Sequence, residues 1–155
     1  MMALSELVNA KHCISPQQKV IQEKSFTYLL NYNNHSLSLE WRIINYKPYL
    51  YFKFKGILST ETSIEGIQLW TEIIKRHSNK ISQIWDCSQM DAYESKARNH
   101  WQNALVENHT EIDEIFLIAN SSIAKIFGQT ITINTPIKVK IISKESDIIK
   151  RIKLS

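Results

Sequence analysis

The sequence predicts an α/β fold: a mixed β-sheet of about four to five strands, opened by a hairpin and continued by alternating helix and strand, with the helices packed on the sheet. Three observations predict it. Apolar residues alternate with period two over 37–55, then recur at helical spacing from 62 onward, and the two periods interchange towards the C-terminus. Only three glycines and three prolines punctuate 155 residues, which argues against a many-turned all-β fold. With 43% hydrophobic and 22% charged residues the composition is that of a core-forming protein, and the length suits one domain.

The elements follow in order. Residues 1–24 read as a polar leader, in which His12 to Pro16 breaks any helix begun by Ala3 to Val8. One domain then occupies 25–155. Phe26 to Leu30 reads as an edge strand, ended by the turn-forming run Tyr32 to His35. Leu37 to Ile43 and Tyr49 to Lys55 alternate as two antiparallel strands, with Leu50, Phe52 and Phe54 on one face. Asn45 to Pro48 is their loop, and Gly56 ends or kinks the second strand. Thr62 and Glu65 have the capping-box spacing, so a helix starts there. Its inner face is Ile64, Ile67, Trp70, Ile73 and Ile74, and Lys75-Arg76-His77 complements its C-terminal dipole.

A third strand, Ile81 to Cys87, leads through a short polar loop into a helix from about Glu94 to Asn108, with Ala97, Trp101, Ala104 and Leu105 inward. Ile112 to Ala119 is nearly continuous in apolar residues, as a strand buried on both faces would be. Ser121 and Ser122 cap a third helix carrying Ile123, Ala124 and Phe127, which Gly128 terminates. A fifth strand, Ile137 to Ile142, and a last helix capped by Ser143, with Ile148, Ile149 and Ile152 inward, complete the chain. Right-handed crossovers make the later strands largely parallel.

Net charge is +4 and the sequence pI about 9.0, too mild to indicate nucleic-acid binding. The charge is uneven. Lys138, Lys140, Lys144, Lys150, Arg151 and Lys153 make the tail basic, whereas Asp86, Asp91, Glu94, Glu107, Glu111, Asp113 and Glu114 make the middle acidic. A surface polarised in this way suits a protein partner. The two cysteines, Cys13 and Cys87, fall in the leader and in a buried strand, which fits a reducing cytosol rather than a disulfide. No signal-peptide pattern opens the chain, and no apolar run nears the roughly 18 residues of a membrane helix. A cytoplasmic protein without stable membrane insertion is the expectation.

Catalytic and cofactor chemistry finds little support. No two glycines lie closer than ten residues, which excludes a phosphate-cradling loop. His77, His100 and His109 lack the spacing of a metal site, and there is no Cys-x-x-Cys, so neither metal nor cofactor is expected. Strand alternation puts Trp85 and Cys87 on the face opposite Asp86, which makes Cys87 a core residue; Asp86 beside it would raise its pKa. Ser88, His100 and Asp86 can be assembled into a triad on paper, but Ser88 lacks a nucleophile elbow. Trp70, Trp85 and Trp101 read as packing for one large core. Trp41 with Tyr49 and Tyr51 forms an exposed aromatic face on the hairpin in this reading.

The stretch Asp86-Cys87-Ser88, then a loop of five residues, then Glu94-Ser95-Lys96-Ala97, resembles the signature of the STAS domain. That domain is named for sulfate transporters and anti-sigma-factor antagonists, and the likeness is to its divergent SpoIIAA-like bacterial members. Their strand ends in Asp-x-Ser, and an acidic residue, a serine and small residues then open a helix. Tyr93-Glu94-Ser95-Lys96-Ala97-Arg98 echoes the divergent group, and the resemblance spans about 37–150. Lys96 stands where a second serine is typical, and Ala97 where a glycine is.

The resemblance implies a non-enzymatic regulatory module that binds a protein partner, such as a serine kinase or an anti-sigma-like regulator. A homodimer is left open. By position Ser95 is the residue a partner kinase would phosphorylate, and Asp86, Ser88, Asp91, Tyr93 and Glu94 form the partner or ligand loop. A phosphate in the first helical turn meets unpaired N–H groups and the helix dipole, but also the charges of Glu94 and Asp91. Two other classes stand beside this one. A SEC14-like carrier or sensor would hold a small apolar or anionic ligand among the many isoleucines, and a small hydrolase would use Ser88 or Cys87.

Overall fold

Seven strands and four helices follow one another in a computed structural model that describes residues 19–22, 27–32 and 35–154, with side chains over 35–152. The strands are β1 (Lys19–Gln22), β2 (Thr27–Tyr32), β3 (His35–Ile44), β4 (Lys47–Leu58), β5 (Ile81–Tyr93), β6 (Ile112–Ile118) and β7 (Lys138–Ile142). The helices are α1 (Thr60–Lys75), α2 (Ser95–Glu107), α3 (Ser122–Ile131) and α4 (Ser146–Leu154). β3–β7 with these helices form the expected mixed α/β fold, and β1 and β2 extend the sheet beyond β3. β2 overlaps the expected edge strand but is not the edge, because β1 pairs along its outer side. Most of the leader lies outside the described residues, as does Cys13; its residues Lys19–Gln22 are β1.

Strand order in the sheet equals chain order. β1 to β4 pair antiparallel, and β4 to β7 pair parallel. Three right-handed crossovers stepping in one direction must put their helices on one face. Accordingly α1, α2 and α3 bury Trp70, Ile74, Trp101, Leu105 and Phe127 against Leu37, Phe52, Phe54, Trp85 and Leu117. α4 follows the last strand onto the other face, where Ile148 joins Tyr49, Tyr51, Ile84, Phe116, Ile118 and Ile142. A sheet wound this way has no point where neighbouring connections diverge to opposite faces, the usual crevice of open α/β sheets.

The aromatic core fills the layer under α1–α3. Trp85 stacks on Phe52 at 5.2 Å and meets Trp101 edge-on at 5.1 Å, and Trp70 meets both tryptophans at 6.2 and 5.9 Å. Gln83, fully buried among them, accepts both indole N–H groups, from Trp70 at 2.9 Å and Trp85 at 2.8 Å. The packing role expected of these tryptophans is what the core displays. The exposed aromatic face on the hairpin is not formed. Tyr49 and Tyr51 are buried on the α4 face, whereas Trp41 points the other way and stacks on His77 at 4.7 Å.

Other boundaries shift for identifiable reasons. The hairpin turn needs only Asn45 and Tyr46, both with positive φ (52° and 64°), whose twist matches the flanking strands. α1 starts three residues earlier than the Thr62 cap implied: Ser59 is the N-cap, and its Oγ accepts the Thr62 N–H at 3.1 Å. Thr62, Ser63 and Gly66 are then the buried positions of its first turns, and Ile64 faces solvent. Small residues suit the place because α1 lies close on the sheet; a Cβ on Gly66 would overlap Leu37. Gly128 does not end α3 but lets it approach Leu117, whose Cδ2 would lie 2.9 Å from an added Cβ. Ile123 and Ile149 point outward.

Candidate functional site

Two bulges reshape the segment that the sequence reading treated as a loop. Lys53 pairs with Asp86 but Lys55 with Gln89, and Gly56 pairs with Met90 but Ile57 with Ala92. Each step adds one residue to β5, so the strand bends yet stays paired to Tyr93. The loop expected after Cys87 is therefore the far half of β5. Gly56 takes φ 79° at the second bulge, a conformation glycine adopts without strain, so it kinks β4 rather than ending it.

Asp86 and Ser88 build the first bulge. Asp86 Oδ1 accepts the Ser88 N–H at 3.0 Å and the Ser88 hydroxyl at 2.6 Å, and its Oδ2 accepts the Tyr51 hydroxyl at 2.7 Å. Asp86 is only 7% exposed, and these donors compensate the burial of its carboxylate. Burial, and then the bond to Asp86, push the Tyr51 phenol up. The Arg42 guanidinium lies 3.6 Å over the Tyr51 ring and bonds Glu40 and, at 2.8 Å, Glu145 just before α4. Burial works against the Arg42 charge, but the bond and charge of Glu40, with Tyr51 and Glu145, leave its pKa raised. The Asp-x-Ser pair thus ties the bulge to Tyr51 on the face of the sheet that α4 packs on. Ser88 spends its proton on Asp86 rather than on an imidazole, and His100 is exposed on α2.

Cys87 lies on the opposite face, beside Trp85 in the main core, as alternation required. It is fully buried, and burial followed by the Asp86 charge pushes its thiol far up. A thiol held protonated is a poor nucleophile.

The second half of the segment reaches the edge where α1, α2 and α3 begin. Tyr93 packs its ring on Phe127 at 5.2 Å, while Asp91, Glu94 and Ser95 are exposed. Ser95 is the first residue of α2, and Glu94 is its N-cap by backbone conformation (φ −80°, ψ 145°). The Glu94 side chain gives α2 no cap; its Oε1 accepts the Thr60 N–H of α1 at 2.6 Å. Its backbone N–H donates to Leu58 at 3.0 Å. The neighbouring helix starts carry ordinary serine caps, Ser59 on α1 and Ser121 on α3.

The predicted site residues therefore fall into two groups rather than one. Asp86 and Ser88 lie beside Tyr51 at the first bulge; Glu94 and Ser95 lie at the helix starts, on the order of 20 Å further along a strand rising about 3.3 Å per residue. Sequence reasoning missed Tyr51 as the partner of Asp86 and Thr60 as the partner of Glu94. Both pairs join residues more than thirty apart, and no local pattern marks them. Among the described residues no group of three His, Cys, Asp or Glu is placed to hold a metal ion, and no helix is long and apolar enough to cross a membrane.

Taken together, the sequential mixed sheet, three helices on one face and a closing helix on the other make a SpoIIAA-like fold. Solved structures that share it include the following two. One is a protein of the DUF3478 family from Shewanella loihica PV-4, with a SpoIIAA-like fold: TM-score 0.65, 16% identity, covering 79% of this chain and 98% of that one. The other is the anti-sigma factor antagonist SpoIIAA in its unphosphorylated form: TM-score 0.53, 11% identity, covering 74% of this chain and 97% of that one. No protein-family model matches the chain, and no curated protein does.

Proposed function

We propose that the chain is a non-enzymatic regulatory module that binds a protein partner through the edge where α1 and α2 begin, and that phosphorylation of Ser95 switches the binding. The observation that carries this reading is the placement of Ser95: exposed, first in α2, at a helix start whose N-cap side chain is engaged elsewhere. A phosphate there meets α2 N–H groups that no side chain caps, together with the positive end of the dipole. In the step proposed, Ser95 Oγ loses its proton and takes the terminal phosphoryl group of a nucleoside triphosphate held by a partner kinase, releasing the diphosphate. The fold shared with an anti-sigma factor antagonist supports the same class of role, with a serine kinase or an anti-sigma-like regulator as the partner. A cytoplasmic setting goes with this reading, Cys87 being a free buried thiol.

The alternative, a carrier of an apolar ligand, gains nothing from the layer beneath α1–α3, which Phe52, Phe54, Trp70, Trp85 and Trp101 occupy. Affinity purification from lysate of the source cells tests the proposal. Wild type, Ser95→Ala and Ser95→Asp are compared by quantitative mass spectrometry. The expected result is at least one partner held by Ser95→Ala and depleted about tenfold or more by Ser95→Asp, a difference of about 1.4 kcal/mol in binding. An identical partner set for all three variants contradicts it.

A further inference from the structure

Glu94 ties two helix starts together. From its backbone N–H it holds the end of β4 at Leu58, and from its carboxylate it holds the first N–H of α1 at Thr60. The helix it introduces, α2, receives no bond from that side chain. The residue next to it is Ser95. A charge placed on Ser95 therefore arises one residue from a carboxylate that is already engaged across the gap between two elements.

We infer that Glu94 is the positioning residue through which charge at Ser95 reaches α1, an inference that rests on reading Ser95 as the switch. A phosphate on Ser95 seeks the uncapped N–H groups of α2 and repels the neighbouring carboxylate. Glu94 then gives up the Thr60 N–H. The first turn of α1 keeps the Ser59 cap but loses the charged one, and it loosens. That turn carries Glu61 and leads into the half-exposed Ile64, so a partner touching α1 senses the state of Ser95 without contacting the phosphate.

The amide proton of Thr60 reports the bond directly, because a short bond to a carboxylate moves it downfield in a ¹H–¹⁵N NMR spectrum. Phosphoserine is installed at position 95 by amber suppression, and the isolated full chain is compared with wild type, Glu94→Ala and Glu94→Gln. The expected result is that phosphoserine moves the Thr60 signal most of the way to its position in Glu94→Ala. In Glu94→Gln, which keeps an acceptor but no charge, phosphoserine leaves the signal where it was. The inference is overturned by a Thr60 signal that phosphoserine does not move, or by one that moves equally in Glu94→Gln. Failure here is separable from failure of the switch. An unmoved Thr60 with a partner set that still depends on Ser95→Asp removes only this coupling; a shifted Thr60 with an unchanged partner set removes only the switch.

Discussion

Gln83 is a polar residue in the middle of an aromatic core, and its retention there follows from what it satisfies. Of the three indole N–H groups in that layer, Gln83 Oε1 accepts two, while its Nε2 is buried without a partner. Gln83→Leu would orphan both donors, at about 1–3 kcal/mol each, partly offset by removing the unpartnered amide. A net loss of about 2–4 kcal/mol is expected in urea unfolding followed by tryptophan fluorescence. Cys87 gives a second test at this scale. In a Cys13→Ser background iodoacetamide at pH 8 should leave the native protein unmodified and alkylate it fully in urea; modification of the native form would contradict its burial. The placement of Cys87 was legible because alternation over Trp85, Asp86 and Cys87 is a local rule. The Tyr51–Asp86 and Thr60–Glu94 bonds were not, because strand pairing and bulges bring those residues together.

At the scale of elements, apolar periodicity found the four α-helices of the described residues but misjudged how closely some of them approach the sheet. α1 buries Thr62, Ser63 and Gly66 where isoleucine was expected, and Ser63 Oγ accepts the Trp101 indole N–H at 3.0 Å. A pattern read from large apolar residues cannot register a face made of small ones. Gly66→Ala tests the close approach. Alanine adds about 1 kcal/mol of helix propensity, but its Cβ overlaps the buried Leu37, and overpacking costs about 1–3 kcal/mol. The expected outcome is a protein less stable by up to about 2 kcal/mol with an unchanged fold; a more stable variant would show that α1 and β3 can separate freely. The length of β5 was hidden for a related reason. Ser88, Gln89 and Asp91 look like a loop, and the two extra residues absorbed by bulges let the segment stay paired with β4.

For the molecule as a whole, the order of elements was legible because the change from period two to helical spacing repeats along the chain. Which face each helix takes then followed from one-directional crossovers. The α4 face was the less legible one. Arg42 lies over Tyr51, Lys47 over Tyr49 at 5.5 Å and Lys140 over Phe116 at 5.5 Å, so charged stems cover rings that a polarity reading would leave exposed. The buried acids give this molecule an alkaline limit. Burial raises Tyr49, Tyr51 and Cys87 above the ordinary values of 10.0, 10.0 and 9.0. Their folded pKa values exceed the unfolded ones, so the stability they contribute is fully present below pH 9 and is lost as pH rises past 9 to 10. Melting temperature should be flat from pH 7 to 8.5 and fall by pH 10.5, less steeply in Tyr51→Phe; a curve flat to pH 10.5 would contradict the burial of these groups.

The edge formed by the starts of α1 and α2 is where the functional reading stands or falls. Photocrosslinking in source cells tests it most directly, with the reactive side chain at Asn99, exposed one turn along α2 from Ser95, or at the exposed Ile133 beyond α3. The expected result is a protein adduct from position 99 that Ser95→Asp abolishes, and none from position 133. An adduct that forms from 133 instead, or one from 99 that Ser95→Asp leaves intact, would contradict a partner switched at Ser95.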